Sequence, residues 1–279
     1  MSAGWTWWWV AVAGGWPLLA DAQVQVLGNR EPLCVFAGAT QNVSVMFANP
    51  GNVRFQADVQ TRMFQASSAT AAPLGGGPWK KLQVLPRQTV VDAAPLSFPA
   101  VNAATKFLVQ WVAGTNDLLG ITEVWVYPTN LLWELKPMTD ERGPGLLDPR
   151  NQLKPLLKNL KINFTDLEGG GLEDFAGQLA IIGPFDSAAQ MRPELPGQIK
   201  ALAKRNVAVV WLLPPAEKTD APAPSFYTIM AGTNAVVVAQ ANLVARLPDN
   251  PRAQLNLLCL CRQALKPEPL QWPVLPIKP

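Results

Sequence analysis

Three short apolar runs in the C-terminal half constrain the fold of this chain more than any other feature. They occupy residues 179–183, 207–213 and 235–239, and they consist mostly of valine, isoleucine, leucine and alanine. An apolar run of this length predicts a strand buried on both faces, which is typical of a parallel sheet covered by helices. Ligands of such sheets bind at the carboxyl ends of the strands. Here those ends read Gly183-Pro-Phe-Asp186, Pro214-Pro215 and Gln240.

The amino-acid composition limits the chemistry that the chain can perform. Histidine is absent from its 279 residues, which excludes Ser-His-Asp and Cys-His mechanisms within the chain and removes the commonest metal ligand. Cys34, Cys259 and Cys261 form neither an even set nor a CxxC pair, so we interpret them as small buried hydrophobes. Chemistry based on paired carboxylates, lysine or tyrosine remains open. We assign no catalytic residue, metal ligand or cofactor from the sequence.

The charge pattern argues against a nucleic-acid partner. The chain has 23 basic and 20 acidic side chains, a net charge of +3, and its basic residues are scattered. A nucleic-acid interface needs a concentrated basic face. Hydrophobic residues make up 49% of the sequence and charged residues 15%, which favours a folded protein with a substantial core over a disordered one.

The N-terminus has the pattern of an export signal. Residues 5–19 are an apolar run, followed by the cleavage-like sequence Ala20-Asp-Ala22, although residues 1–4 carry no lysine or arginine. Fifteen residues suit a signal-peptide core better than a membrane span. We therefore predict that residues 1–22 are a signal peptide and that the mature protein is secreted or periplasmic. An uncleaved membrane anchor and a buried N-terminal segment are the alternatives.

Residues 23–130 show alternating polar and apolar residues interrupted by turn signals. About seven short strands are predicted, the number expected for a β-sandwich. Trp111 and Trp125 lie within the apolar pattern of the two strongest strands and are predicted to anchor the core. The predicted strands cover residues 23–27, 42–47, 53–65, 79–85, 88–91, 106–112 and 120–127.

This strand pattern resembles the immunoglobulin-like domains of bacterial envelope proteins. The chain departs from the Cys…Trp…Cys core of antibody domains because Cys34 has no partner cysteine in this half. The resemblance implies an immunoglobulin-like sandwich that acts as a spacer, adhesion or docking module.

Residues 131–266 alternate predicted strands with predicted helices. Asp148-Pro149 has the pattern of a helix start, with Asp as the N-cap and Pro at the first helical position. Alternation of this kind predicts a right-handed parallel sheet of about five strands. The predicted strands cover residues 143–147, 160–164, 178–183, 207–213 and 235–239, and the predicted helices cover residues 151–159, 193–204 and a segment that opens at residues 249–251.

Residues 175–185, and residues 199–206 running into 207–214, resemble the flavodoxin-like domain of class I glutamine amidotransferase-like proteins. Active members of that class place a Cys nucleophile at a strand-to-helix elbow, with His and Glu downstream. This chain has no His, and Cys259 and Cys261 fall within the predicted last helix. The resemblance therefore implies a non-catalytic relative with a flavodoxin-like fold.

Asp148, Gly183 and Asp186 are the candidate ligand-binding residues. Asp148 and Asp186 follow the first and third predicted strands, which are neighbours in the strand order 2-1-3-4-5. Two carboxylates at that point can bind a cation or serve as acid and base. We favour the alternative in which Asp148 caps a helix and Asp186 caps a turn. The Gly-rich segment 169–171 lacks the pattern of a phosphate loop and is interpreted as a flexible loop.

Taken together, these patterns favour a non-catalytic interaction or scaffold protein of the cell envelope, with another envelope protein as its partner. The alternative is a small-molecule or sugar-binding protein, or a carboxylate-dependent hydrolase, with its site at the carboxyl ends of the α/β strands. Residues 5–19 would add membrane association if they are not cleaved. The Pro-rich tail, residues 267–279, either docks a partner or lies along its own domain.

Overall fold

The computed structural model describes residues 24–29, 32–67, 69–169, 171–214 and 226–267. The predicted signal peptide and the Pro-rich tail beyond Pro267 lie outside these residues. A β domain is followed by an α/β domain, which confirms the general fold predicted from the sequence. Within the described residues, no helix combines the length and hydrophobicity of a membrane span.

The first domain consists of eight strands in two sheets that share one apolar core. A three-stranded sheet has the order β1-β3-β6, and a five-stranded sheet has the order β2-β8-β7-β4-β5. The strands are β1 (Gln25–Leu27), β2 (Leu33–Phe36), β3 (Thr40–Ala48), β4 (Phe55–Ala66), β5 (Ala71–Val84), β6 (Thr89–Ser97), β7 (Thr105–Ala113) and β8 (Asp117–Tyr127).

Aromatic side chains hold the two sheets of this domain together. Phe47 on β3, Trp79 on β5 and Trp111 on β7 pack with ring centroids 5.0–5.9 Å apart. Trp111 is fully buried, and its indole N–H donates to Thr122 Oγ1 at 2.8 Å. The indole N–H therefore has a hydrogen-bond partner although it is buried away from water. The prediction that Trp111 anchors the core is confirmed.

Two parts of the β domain were not predicted from the sequence. The four-residue strand β2 pairs in parallel with the end of β8, a pairing that depends on residues 91 positions away. Strand β5 continues through Gly75-Gly-Gly77, although glycine disfavours strands. At Gly76 a Cβ atom would lie 2.0 Å from the carbonyl oxygen of Thr61, so the close approach of the two strands requires glycine.

The second domain is built on a six-stranded sheet with the order β10-β9-β11-β12-β14-β13. Its five parallel strands follow the expected order 2-1-3-4-5, and β13 adds an antiparallel edge that was not predicted. The strands are β9 (Gly145–Leu147), β10 (Thr165–Asp166), β11 (Leu179–Ile182), β12 (Ala208–Leu213), β13 (Phe226–Ala231) and β14 (Asn234–Gln240).

The prediction of a strand over residues 160–164 is wrong. Residues 160–162 instead close helix α1 (Leu153–Asn159), since the backbone N–H of Ile162 donates to the carbonyl of Leu157 and that of Lys161 donates to Lys158. These two bonds form a Schellman motif, which delays the start of β10 to Thr165. The predicted apolar pattern of Leu160 and Ile162 reflects packing at the helix end.

Helices cover both faces of the parallel strands. Helix α2 (Leu195–Lys204) covers the face that carries Ile182 and Val209, whereas α1 and α3 (Pro251–Leu265) cover the face that carries Ile181 and Val210. A 3₁₀ stretch, Leu131–Met138, follows β8 and packs against α3. Burial on both faces explains why these strands are continuous apolar runs in the sequence.

The two domains share buried surface. Phe36 and Tyr127 at the end of the β domain belong to the same buried cluster as Leu132 and the apolar face of α3. One Arg252 guanidinium nitrogen donates to the carbonyl of Pro32 at 2.6 Å across this junction. Trp125 is half-buried here against the α/β core rather than inside the sandwich, so its predicted place in the sandwich core is corrected.

Candidate functional site

The predicted site lies at the carboxyl ends of β9, β10 and β11. Asp148 follows β9, Asp166 ends β10, and Gly183 and Asp186 follow β11. Because these strands are neighbours in the sheet, their ends and the connections that follow lie at one edge.

Asp148 is only 2% exposed and its carboxylate is fully used by the backbone that follows it. It accepts hydrogen bonds from the backbone N–H groups of Gln152 (3.2 Å), Leu153 (2.7 Å) and Lys154 (2.9 Å). Asp148 therefore caps the first turn of α1, as predicted, but the prediction that it is the N-cap residue with Pro149 at the first helical position is wrong: α1 begins at Leu153, and its N-cap residue is Gln152. Residues 148–151 form a reverse turn before the helix, in which Asn151 has a φ of 48°. This turn brings the Asp148 carboxylate back to the first turn of α1, although Asp148 itself lies outside the helix.

Lys154 joins the ends of β9 and β10 and was not identified from the sequence. Its ammonium lies 2.9 Å from both Asp166 Oδ1 and Glu168 Oε1, although the Lys154 side chain is only 10% exposed. Burial lowers the pKa of Lys154, but the two carboxylates outweigh that effect and the net shift is upward. Glu168 also accepts from the backbone N–H of Asp148 at 3.1 Å, which connects this ion-pair cluster to the helix cap.

Asp186 closes a surface turn. Its Oδ1 lies 2.8 Å from Arg150 Nε, and its Oδ2 accepts from Gln190 Nε2 at 3.2 Å. The backbone N–H of Asp186 donates in turn to Gln190 Oε1 at 2.7 Å. The Gln190 side chain, rather than the Asp186 carboxylate, accepts the backbone N–H in this turn, so the predicted capping by Asp186 is not confirmed. The ion pair with Arg150 ties this turn to the segment after β9.

Gly183 is required by the packing of neighbouring strands. Its φ is +96°, and a Cβ atom there would lie 2.5 Å from the carbonyl oxygen of Leu212 on β12. Any side chain would force β11 and β12 apart. This steric reason for glycine is independent of a ligand, and the ligand-binding role of Asp148, Gly183 and Asp186 stays a prediction.

The chemistry open to this edge of the sheet is narrow. Among the described residues, no group of three or more Asp, Glu, Cys or His side chains is arranged to hold a metal ion. Asp148 and Asp186 already have strong intramolecular partners, and a catalytic acid or base would have to give them up. The side chains at this edge therefore form a network of hydrogen bonds and ion pairs that holds the ends of three strands together.

The cysteines have the properties of structural residues. Burial raises the pKa of the Cys34 thiol to about 11, and its sulfur lies 3.7 Å from the carbonyl oxygen of Pro32 as a weak donor. Cys261 is fully buried within α3, and burial raises its pKa further. A raised pKa suppresses the thiolate, so neither side chain has the character of a nucleophile.

Two cavities lie at the opposite, amino-terminal edge of the parallel strands, where sequence reasoning placed no site. Their volumes are about 630 and 480 Å³, and they adjoin along the connections that lead into β9 and β10. No motif marks this place in the sequence, because its residues come from two separate segments, 136–143 and 158–165. The two cavities share four lining residues, Glu141, Lys161, Ile162 and Asn163.

Comparison with known proteins does not identify a family. No protein-family model and no curated protein matches the chain. Among solved structures, the alkylpurine DNA glycosylase AlkC of Pseudomonas fluorescens is similar over 38% of this chain and 31% of its own, with 14% identity and a TM-score of 0.30. A β-glucosidase of Listeria innocua is similar over 37% of this chain and 16% of its own, with 13% identity and a TM-score of 0.27. This chain spans less than a third of either protein, and likeness at this level carries no information about its activity.

Proposed function

We propose that this protein is a non-catalytic interaction or scaffold protein of the cell envelope, built from an immunoglobulin-like sandwich and a degenerate flavodoxin-like domain. The strand order 2-1-3-4-5 and the two-sheet β domain support these finer fold assignments. Export, to the periplasm or the exterior, rests on the signal-like sequence of residues 1–22. N-terminal sequencing of the exported protein tests it, since a mature chain that begins at Gln23 excludes an uncleaved anchor.

The non-catalytic proposal rests on one observation: both carboxylates of the predicted site already bind other groups of the folded chain. Asp148 caps α1 from a buried position, and Asp186 is paired with Arg150 and Gln190. In a carboxylate-dependent hydrolase at least one of these groups would be free to exchange protons with a substrate. The alternative of a hydrolase or a sugar-binding site at this edge therefore has less support.

The exposed edge of the α/β sheet supports an interaction role. Within the described part of the chain, β13 pairs with β14 alone, so its outer edge is open. Tyr227, Ile229 and Met230 on this strand are 47%, 51% and 61% exposed. Tyr227 and Ile229 lie opposite Val238 and Val236, whose side chains belong to the cluster under α2, so they continue that apolar face beyond the helix. Exposed apolar edge strands are usually protected in monomeric proteins.

We infer that the partner adds an extended segment with alternating apolar side chains to β13. Backbone hydrogen bonds to the open edge would supply affinity, and contacts with Tyr227 and Ile229 would supply specificity. A partner strand would also pair with outward-facing backbone N–H and C=O groups of β13.

A pull-down of the mature protein from envelope extract tests the proposal. Wild-type protein is expected to recover a specific partner, and Ile229→Lys is expected to lose it, since a charge would be buried in the new contact. Val91→Lys is the matched control, because Val91 is a strand residue of the β domain that is 65% exposed. Loss of the partner with both variants, or a measurable turnover without any specific partner, would contradict the proposal.

A further inference from the structure

The two adjoining cavities at the amino edge of the α/β sheet form one cleft, whose walls are fixed by the fold. Gly143 has a φ of +73°, and a Cβ atom there would lie 1.8 Å from the carbonyl oxygen of Asn163, so the connections leading to β9 and β10 touch backbone to backbone. The Asn163 amide donates to the carbonyl of Glu141 at 3.0 Å, and the Trp133 indole N–H donates to the carbonyl of Leu160 at 3.1 Å. These contacts fix both walls of the cleft.

The cleft is lined by more cations than anions. Lys136, Lys158, Lys161 and Arg142 line it, against Asp140 and Glu141. Arg142 is already neutralised, because its guanidinium pairs with Asp140 at 2.8 Å and donates to the carbonyl of Ala176. The three lysines therefore dominate the potential of the cleft, with Glu141 as the one carboxylate of its lining that lacks a cationic partner within the described residues.

Those three lysines have no carboxylate within 4 Å among the described residues. Two of them are held by aromatic rings: the Lys136 ammonium lies 5.1 Å from the centroid of Trp133, and the Lys158 ammonium lies 6.0 Å from that of Phe164. A cation–π contact restrains an ammonium without neutralising its charge. Lys136 and Lys158 are thus restrained at the cleft and keep their charge, although the charge of Lys158 also acts on the Asp166 carboxylate.

Lys161 occupies a backbone position where glycine is favoured. It is the left-handed residue of the Schellman motif that ends α1, with a φ of 54°. The carbonyls of Leu157, Lys158 and Leu160 are already bonded, so the helix end does not need the Lys161 ammonium as a hydrogen-bond donor. A side chain kept at a strained position at the cleft, without an intramolecular partner, suits a contact to a ligand.

We propose that this cleft binds a phosphate-bearing small molecule, with Lys136, Lys158 and Lys161 as the charged contacts. Arginine recognises carboxylates through its planar fork, and the only guanidinium here is already paired, whereas lysine ammonium groups bind phosphate as point charges. A multiply charged anion also suits three unpaired cations better than a single carboxylate does.

Calorimetric titration of the full-length mature protein with inorganic pyrophosphate, at constant ionic strength, tests this proposal. Saturable binding is expected, and Lys161→Gly is expected to weaken it about tenfold, the effect of one lost charged contact. Because glycine relieves the left-handed backbone, the same variant is expected to keep or raise the melting temperature of the unliganded protein. Weaker binding in an equally stable protein separates a ligand contact from a structural role.

Two matched controls accompany the titration. Asn206→Gly makes the same backbone change at the left-handed end of α2, and Lys200→Ala removes an exposed lysine outside the cleft. Both are expected to leave pyrophosphate affinity unchanged. The proposal is overturned by the absence of saturable binding at concentrations up to about 10 mM, by an affinity that Lys161→Gly does not change, or by a control variant that weakens binding as much. Citrate that binds as tightly as pyrophosphate would overturn the assignment to phosphate.

Discussion

The Lys154 ammonium lies 2.9 Å from the Glu168 carboxylate, in an ion pair that joins helix α1 to the segment after β10. Only a tenth of the Lys154 side chain is exposed, whereas Glu168 and the second partner, Asp166, remain half in solvent. The pair therefore holds strand ends together at an edge of the sheet where related folds commonly bind ligands.

Replacing Lys154 with Met is expected to lower the free energy of unfolding at pH 7 by about 1 kcal/mol, because the partner carboxylates are largely solvated and methionine retains the apolar packing. The backbone N–H of Glu168 and then the Lys154 ammonium hold the pKa of Asp166 below its ordinary value. Asp166 therefore stabilises the folded protein at pH values above its unfolded-state pKa of about 4. This stabilisation is lost as the pH falls through the lower pKa that Asp166 has in the folded protein. The wild-type advantage over Lys154→Met should therefore shrink below about pH 4.

Urea unfolding from pH 3 to pH 8 measures this difference between the two proteins. Lys200→Met, which changes an exposed lysine on α2, is the control and should follow the wild-type curve. An advantage that is as large at about pH 3 as at about pH 7 would contradict the assigned ion pair.

Asp148→Ala is expected to destabilise the protein by about 2–3 kcal/mol, because three backbone N–H groups at the start of α1 would lose a charged acceptor. Asp186→Ala is the matched control: its side chain is 55% exposed and should cost less than about 1 kcal/mol. Chemical denaturation of both variants measures the difference. Equal costs would show that Asp148 is not the dominant cap.

The architecture of the α/β domain was predictable because burial on both faces leaves continuous apolar runs, as in β11, β12 and β14. The capping role of Asp148 was predictable because capping is local chemistry. The strand predicted at residues 160–164 is wrong, and β10 begins five residues later, since the Schellman motif at Lys161 has no glycine to mark it. Strand β13 was missed because it is an exposed edge with little apolar periodicity.

Two side-chain clusters of the α/β domain could not be predicted from the sequence. Lys154 meets Asp166 and Glu168 only because β10 pairs with β9, and nothing in the local sequence specifies that pairing. Likewise, the cleft brings Lys136 beside Lys161 through the packing of the 3₁₀ stretch against the end of α1. Contacts of this kind depend on tertiary register, whereas periodicity and capping reflect neighbours along the chain.

Cys34 should react slowly with iodoacetamide in the native protein. With its pKa raised by burial to about 11, less than about one in a thousand Cys34 side chains is a thiolate at pH 7.5. Labelling followed by mass spectrometry should show modification of Cys34 at least about a hundredfold faster in urea than in buffer. A cysteine introduced at the exposed Leu118 position, Leu118→Cys, is the positive control. Rapid native labelling of Cys34 would refute its burial at the domain junction.

The two domains should unfold as one cooperative unit, since they share a buried cluster. Leu132 is fully buried between the end of the β domain and α3, so Leu132→Ala should cost about 2–5 kcal/mol through lost burial and a residual cavity. The loss should lower the stability of both domains equally. Amide hydrogen exchange at increasing urea follows the strands of the β domain and the helices of the α/β domain separately. Their urea transitions should coincide in the wild type and shift together in the variant.

Leu118→Ala, at a site 54% exposed, is the control and should change stability by less than about 0.5 kcal/mol. Transitions that separate in Leu132→Ala, with the β domain unaffected, would show that the shared cluster does not couple the two domains.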